Sequence, residues 1–286
     1  MAETQVKKAA PKFVLPTERR KAQNYNPRLL VLYGFPKSGK SSVVASLDNN
    51  LILDLEDGYR ALEVMTLNCQ NVKDLFEVKA LLEQKKKETG ELPYRFITID
   101  NATRLESFAI PYANSKYRKT AMGQNWGFLK DRDGNVVIDP KTGKPKLDPT
   151  ADVRLLPQGA GYLYLREALK EIIHMFQPFC ETLILVCHVK DKQIKLNGAE
   201  SNELVVDLAG KLGDIICGEA DAVGYIYRKK NQTIISFDGG DNLIREARPL
   251  HLRGKQFVVG ESDENNNLKF NMSSIFLDND KNGTAA

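Results

Sequence analysis

The chain has 286 residues, 42% of them hydrophobic, and a formal net charge of +4 at pH 7. It is long enough for one large α/β domain or two modest ones, and its small net charge excludes binding of nucleic acid through bulk positive charge. The four cysteines and three histidines show no zinc-site spacing. No signal peptide is recognisable, and no apolar run has the length of a membrane span. We therefore expect a cytoplasmic protein with no membrane partner.

The first segment, residues 1–27, is polar and basic and is predicted to form an arm. We expect it to be ordered only where Phe13-Val14-Leu15-Pro16 finds a groove. An apolar run at residues 29–33 follows and predicts the first buried strand. Residues 41–47 are compatible with a helix, so a strand and a helix flank the short segment between them.

That short segment carries the strongest motif in the chain. Residues 34–41 read Gly-Phe-Pro-Lys-Ser-Gly-Lys-Ser and match the phosphate-binding pattern G-x-x-x-x-G-K-[ST] without a mismatch. Backbone N–H groups and a helix N-terminus in such a loop hold phosphates, the lysine reaches the β- and γ-phosphates, and the serine hydroxyl ligates Mg²⁺. The sequence therefore predicts a nucleoside-triphosphate site formed by Gly34, Phe35, Pro36, Lys37, Ser38, Gly39, Lys40, Ser41 and Ser42.

Beyond this loop, apolar runs alternate with helical periodicity, which indicates a mostly parallel sheet covered on both faces. Further strands are predicted at residues 51–56, 94–100, 182–188 and 222–227. Helices are predicted at residues 71–87 (ended by Gly90), 103–112 and 162–176. After residue 232 the pattern changes, and antiparallel edge strands are predicted at 233–237 and 257–259, with a frayed tail at 278–286.

Two long stretches interrupt the alternation, at residues 114–160 and 189–210. Long loops within a compact domain are usually functional or disordered. The first contains nine Lys/Arg and five Asp, a local charge of 9 − 5 = +4, and aromatic residues are interleaved with its first charges. This combination suits single-stranded DNA, with contacts predicted at Lys116, Arg118, Lys119 and Trp126. The alternative is a surface insertion whose aromatic side chains pack on the core.

Carboxylates at strand ends supply the other parts that a triphosphate hydrolase needs. Asp100 ends the third predicted strand, where a Walker B aspartate holds the Mg²⁺ shell. Glu56 ends the second predicted strand and is our candidate for the base that takes a proton from water. Asp54 and Asp57 compete for that role, although Asp54 lies further from the carboxyl edge, where ligands bind in open α/β sheets.

His188 ends the fourth predicted strand and has two readings. A polar donor at this edge can sense the γ-phosphate and pass its presence to the following loop. Alternatively, His188 is a hydrogen-bonded histidine at a strand end with no such role.

These motifs together resemble a RecA-type ATPase core over about residues 28–238. Asp54-Leu55-Glu56 is similar to the Asp-x-Glu that holds the family's catalytic glutamate, and Asp100 matches the Walker B aspartate. His188 stands where RecA has a glutamine that couples ATP to a DNA-binding loop. The resemblance implies the sheet order 5-1-4-3-2 for the five main predicted strands numbered along the chain. It also implies catalytic roles for Lys40, Glu56 and His188 and metal ligation by Ser41 and Asp100.

The small size resembles phage-encoded RecA-like ATPases of the single-strand annealing and recombination group. This implies a single domain at residues 28–277 that hydrolyses Mg²⁺-ATP and binds single-stranded DNA in the host cytoplasm. A homo-oligomer, a single-strand binding or recombination protein as partner, and a basic residue donated by a neighbouring subunit are also implied. The candidates for that basic residue are Arg228, Lys229, Lys230, Arg253 and Lys255. The alternative function is an ATP-dependent switch or assembly protein that acts on a protein partner without DNA.

Overall fold

The computed structural model describes residues 15–196, 199–239, 244–263 and 268–278. Its helices are α1 (Lys40–Ala45), α2 (Val72–Thr89), α3 (Ala102–Arg118), α4 (Gly161–His174) and α5 (Leu212–Glu219). Its strands are β1 (Leu29–Gly34), β2 (Asn50–Asp54), β3 (Met65–Asn68), β4 (Phe96–Asp100), β5 (Thr182–Leu196), β6 (Ala199–Val206), β7 (Ala222–Lys229), β8 (Gln232–Ser236), β9 (Glu246–Ala247), β10 (Gln256–Ser262) and β11 (Leu268–Phe270).

The strands form a sheet in the order β11-β10-β8-β7-β1-β5-β4-β2-β3, with β6 on β5 and β9 on β7. Pairing from β7 through β1, β5, β4 and β2 to β3 is parallel, and β8, β10 and β11 are antiparallel. The predicted fold class is confirmed. The five main predicted strands are β1, β2, β4, β5 and β7, and they lie in the predicted order. The complete order differs because β3, which the sequence did not reveal, extends the sheet beyond β2.

Both faces of the central strands are covered. Leu30 and Leu32 of β1 lie in one buried cluster with Val43 and Val44 of α1. Val31, on the opposite face, lies in a second cluster to which α2, α3 and α4 contribute. Since side chains alternate between the two faces of a strand, an uninterrupted apolar run is what a doubly covered strand requires. The parallel arrangement brings the carboxyl ends of β1, β2 and β4 to one edge.

The predicted helices are present with shifted ends. Asn71 caps α2 through its side chain, and Gly90 ends it with a φ of 73°, as its position in the sequence predicts. The helix predicted at 103–112 continues to Arg118, with Pro111 inside it. The first residues of the predicted 114–160 insertion are therefore helical. Its remainder includes three isolated bridges, Phe128 to Leu147, Lys130 to Val136 and Ile138 to Pro145.

The prediction of a long loop at residues 189–210 is wrong. β5 continues past His188 to Leu196 and pairs with β6, so that Val189 lies opposite Val206 and Leu196 opposite Ala199. This β5–β6 hairpin has polar residues along much of its length, and the apolar run that marks a strand in the core is missing. The helix α5 occupies the residues that follow it.

The chain termini are described only in part. Phe13 and Val14 of the predicted arm lie outside the described residues, as do residues 279–286 of the predicted tail. Residues 15–27 contain no helix or strand. The Asn26 side chain donates a hydrogen bond to the Leu277 carbonyl at 3.0 Å and accepts one from the Leu277 N–H at 2.8 Å. Within the described ranges, no helix combines the length and apolarity that crossing a bilayer demands.

Candidate nucleotide-binding site

The phosphate-binding loop connects the end of β1 to the start of α1. A Cβ added at Gly34 would lie 2.3 Å from the Ile226 carbonyl oxygen, so this position has no room for a side chain. Gly39, directly before α1, has a φ of 97°, a conformation that L side chains rarely adopt. Gly34 is thus required by the close approach of Ile226, and Gly39 is required by its backbone conformation.

Lys40 folds back over this loop. Its Nζ donates hydrogen bonds to the carbonyl oxygens of Gly34 at 2.9 Å and Phe35 at 2.8 Å, and the residue is only 7% exposed. Burial lowers the pKa of the Lys40 ammonium, while Asp100 acts in the opposite direction. A bound anion at this position would supply the negative charge that the buried ammonium favours.

Asp100 ends β4 and receives two hydroxyl donors on one oxygen. Ser41 Oγ donates to Asp100 Oδ2 at 2.8 Å, and Tyr59 OH donates to the same atom at 2.5 Å. Burial raises the pKa of the Asp100 carboxyl, and the two hydroxyls oppose that shift. A serine hydroxyl beside a carboxylate at the first turn of a P-loop helix is the donor set that suits Mg²⁺.

Glu56 does not end a strand as predicted, because β2 stops at Asp54. The Asp54 Oδ1 accepts the N–H groups of Glu56 at 3.0 Å and Gly58 at 3.2 Å, and this turn ends the strand. Asp54 is 3% exposed and does not line the cleft above the loop. Glu56 is exposed and lines it. Asp57 contacts Arg60 and also lies away from the cleft lining.

His188 lies within β5, opposite Gly34 of β1, and so does not end a strand either. Its Nε2 is 3.1 Å from Asn101 Nδ2, in the residue after Asp100. Its Nδ1 is buried and has no hydrogen-bond partner among the described residues. The imidazole therefore contacts the segment that carries the predicted metal ligand.

One cleft of about 380 Å³ gathers these groups. It is lined by Pro36, Lys37, Gly39, Lys40, Ser41, Ser42, Glu56, Asp100, Asn101, His188 and Arg228. The structure thus brings together predicted site residues from the loop after β1, α1, the β2–β3 connection, β4 and β5. The buried ammonium, the Ser41–Asp100 pair and the open backbone at Gly39 fit a Mg²⁺-nucleotide.

Residues 26–137 match the family model of an AAA domain. This match includes the loop, Glu56 and Asp100, whereas His188 and Arg228 lie beyond it. Among solved structures, a crystal structure of the RadB recombinase is similar over 85% of this chain and 90% of that chain, with 11% sequence identity and a TM-score of 0.40. No curated protein sequence matches the chain.

The four residues predicted to contact DNA differ in their surroundings. Lys116 pairs with Glu171 at 2.5 Å, and Trp126 packs edge-on against Tyr117 with ring centroids 5.2 Å apart. Both side chains are therefore engaged within the fold. Arg118 is half-buried and Lys119 is exposed, and neither forms an ion pair within the part of the chain that the structure describes. These two cations remain available to a ligand.

Sequence reasoning missed Tyr59 and Asn101 and considered Arg228 only as a candidate for a neighbouring subunit's site. Tyr59 follows the turn after β2, and β2 pairs with β4, so strand adjacency was the signal that could have placed it near Asp100. Asn101 caps α3 through its side chain, a role typical of the residue between a strand and a helix. Arg228 follows Gly224 and Ile226 at the spacing of one strand face.

Proposed function

We propose that this cleft binds and hydrolyses Mg²⁺-ATP. The observation that carries the proposal is the 2.8 Å hydrogen bond from Ser41 Oγ to Asp100 Oδ2, made beside the buried Lys40. When bound, Mg²⁺ supplies charge that neutralises the β- and γ-phosphate oxygens, and Ser41 and Asp100 would hold it. We favour ATP because no guanine-reading N/T-K-x-D motif stands out in the sequence.

The other residues of the cleft have separate roles in hydrolysis. Lys40 binds the phosphate oxygens through its ammonium. Glu56, exposed in the cleft, orients the attacking water and takes its proton. His188 and Asn101 form a hydrogen-bonded pair at the base of the β5–β6 hairpin, where the occupancy of the phosphate site can be sensed.

Tyr59 provides a test that is specific to the metal site. Tyr59→Phe removes one of the two hydroxyl donors of Asp100 Oδ2 and leaves that buried carboxylate less well held. We expect the Mg²⁺ concentration that gives half-maximal phosphate release to rise about tenfold, the usual size for loss of a group that orients a metal ligand. Wild-type protein should release no phosphate without Mg²⁺.

Tyr227→Phe is the matched control, since the Tyr227 hydroxyl donates to Gln256 at 3.2 Å, away from the cleft lining. It should leave the Mg²⁺ dependence unchanged. Hydrolysis by wild-type protein that continues in excess chelator would contradict the metal assignment. An identical Mg²⁺ titration for Tyr59→Phe and wild type would show that Tyr59 does not support the metal site.

We also propose that the nucleotide state is coupled to single-stranded DNA, as in recombination, annealing or repair. The β5–β6 hairpin is anchored beside the cleft: Thr103 Oγ1 donates to the Asp207 carbonyl at 2.9 Å, and the Ala209 N–H donates to Glu106 Oε2 at 2.7 Å. Both anchors come from α3, which begins two residues after Asp100. A shift at Asp100 is therefore passed to the hairpin through one helix.

The DNA proposal is tested with Arg118 and Lys119, the two unpaired cations at the end of α3. The double variant Arg118→Gln/Lys119→Gln should weaken binding of single-stranded DNA and reduce its salt dependence, because fewer counterions are released. Each lost phosphate contact should lower the slope of log affinity against log salt by about 0.7. Fluorescence anisotropy of a labelled oligonucleotide over a salt series measures both.

The double variant Lys141→Gln/Lys144→Gln removes the same charge from exposed positions in the distal turn of residues 114–160. It should bind DNA as wild type does. If the two double variants have equal affinity for DNA and an equal slope of log affinity against log salt, residues 114–160 are an ordinary surface insertion.

A second candidate function is an ATP-dependent switch that acts on a protein partner. The observation in its favour is that several lysines of residues 114–160 and 189–210 are neutralised within the fold. Lys116 pairs with Glu171, Lys190 lies 3.4 Å from Asp207 and Lys192 lies 3.2 Å from Asp214. Self-association as a homo-oligomer is compatible with either function. Hydrolysis that single-stranded DNA leaves unchanged would favour this candidate.

A further inference from the structure

Strand β7 places one face of its side chains against the phosphate-binding loop. Side chains two residues apart share a face of a strand, so Ile226 and Arg228 point the same way. Ile226 touches the loop, since a Cβ at Gly34 would lie 2.8 Å from Ile226 Cγ2. Arg228 is one step further along this face, toward the carboxyl edge where the cleft opens.

The guanidinium of Arg228 lies over the other glycine of the loop. A Cβ built on Gly39 would be 3.7 Å from Arg228 Nη2. Gly39 immediately precedes α1, and the free backbone N–H groups at the start of a P-loop helix are where phosphate is held. Arg228 also lines the cleft together with Lys40, Ser41 and Glu56.

Arg228 has no carboxylate partner there. Its side chain is exposed and forms no hydrogen bond or ion pair with any residue in the described ranges. Lys40, a second cation of the cleft, donates its side-chain hydrogen bonds to backbone carbonyls. The cleft therefore presents three cations, Lys37, Lys40 and Arg228, beside a loop that binds anions. Of these, only Arg228 carries a planar guanidinium, which matches two oxygens of a phosphate at once.

We propose that Arg228 binds the polyphosphate of the nucleotide held by the P-loop of its own chain. This inference rests on the proposed nucleotide binding and assigns Arg228 a role in cis. The resemblance to RecA-type ATPases placed Arg228 among residues that would reach a neighbouring subunit's site. Another of those candidates, Arg253, donates to the carbonyls of Ala247 and Arg248 at 3.0 Å each and so has a role within its own chain.

Lys229 offers a matched control. It is exposed, carries the same charge and is adjacent on the strand, but it shares the opposite face with Tyr225 and Tyr227, whose rings stack 5.7 Å apart. Arg228→Gln should weaken binding of a fluorescent ATP analogue about tenfold or more, the size of a lost charge-assisted hydrogen bond. Lys229→Gln should bind as wild type does. Adenosine, which has no phosphate, should bind all three proteins alike.

The outcomes distinguish failure of the proposed nucleotide binding from failure of the role assigned to Arg228. Wild-type protein that binds no triphosphate overturns the proposed function itself. Wild-type protein that binds ATP, together with Arg228→Gln and Lys229→Gln variants of equal affinity, overturns only the role of Arg228. Thermal melting of the full chain shows whether each variant is folded, and these exposed positions should leave the melting temperature close to that of wild type.

A mixing experiment distinguishes action in cis from action in trans. Lys40→Ala protein retains Arg228, and Arg228→Gln protein retains an intact loop. If Arg228 acted on a neighbouring subunit, an equimolar mixture would regain hydrolysis where the two variants meet. We expect the mixture to stay at the sum of its separate rates. Recovery well above that sum would overturn the assignment in cis.

Discussion

Lys40→Ala is expected to lower nucleotide hydrolysis by about a hundredfold or more, because it removes a preorganised cation from the developing phosphate charge. The structure also predicts a loss of folding stability for this variant, which sequence reasoning did not foresee. The ammonium also donates to two loop carbonyls, and losing these hydrogen bonds should lower the free energy of unfolding by about 1–3 kcal/mol. Phosphate release measures the first effect and chemical denaturation the second.

Lys87→Ala is the control for this variant, since Lys87 is exposed on α2 and lies outside the cleft lining. It should preserve both hydrolysis and stability. A folded Lys40→Ala protein that hydrolyses ATP at the wild-type rate would refute the assignment of the phosphate loop.

Glu56→Gln should keep Mg²⁺-ATP binding and slow hydrolysis by about a hundredfold or more, because an amide keeps the shape of the side chain but takes no proton. Single-turnover phosphate release measured beside equilibrium nucleotide binding separates the two effects. Asp54→Asn is the matched control. An asparagine Oδ1 can still accept the two turn N–H groups, so turnover should persist.

The opposite pattern, with turnover stopped in Asp54→Asn and intact in Glu56→Gln, would make Asp54 the base. Asp57→Asn should also retain activity. Asp57 has a φ of 60°, which asparagine tolerates, and its side chain contacts Arg60 away from the cleft lining.

The parts of the site that depend on local sequence could be predicted from the sequence. The P-loop is one contiguous segment whose glycines are dictated by its own backbone, and Asp100 directly follows an apolar run. Tyr59 could not be placed in this way. Its hydrogen bond to Asp100 joins residues 41 positions apart and exists only because β2 and β4 are neighbours in the sheet.

Two errors in the fold have separate physical causes. Glu56 was expected at a strand end, but the Asp54 carboxylate captures two backbone N–H groups and ends β2 early. The residues after His188 were expected to form a loop because the stretch is polar and contains glycines, yet backbone pairing with β6 does not require an apolar face. Hydrophobic periodicity identifies strands that have a buried face, so it does not predict a strand that projects beyond the core.

Because β5 is continuous, a small tilt at one end displaces the other end by a larger distance. The same strand that places His188 opposite Gly34 runs on to Leu196 without a break. At about 3.3 Å per residue, these eight steps span about 26 Å, so a tilt of about 5° at the histidine would displace the far end by about 2 Å. A rearrangement at the phosphates too small to disturb the packed sheet would thus be amplified at the far end of the strand.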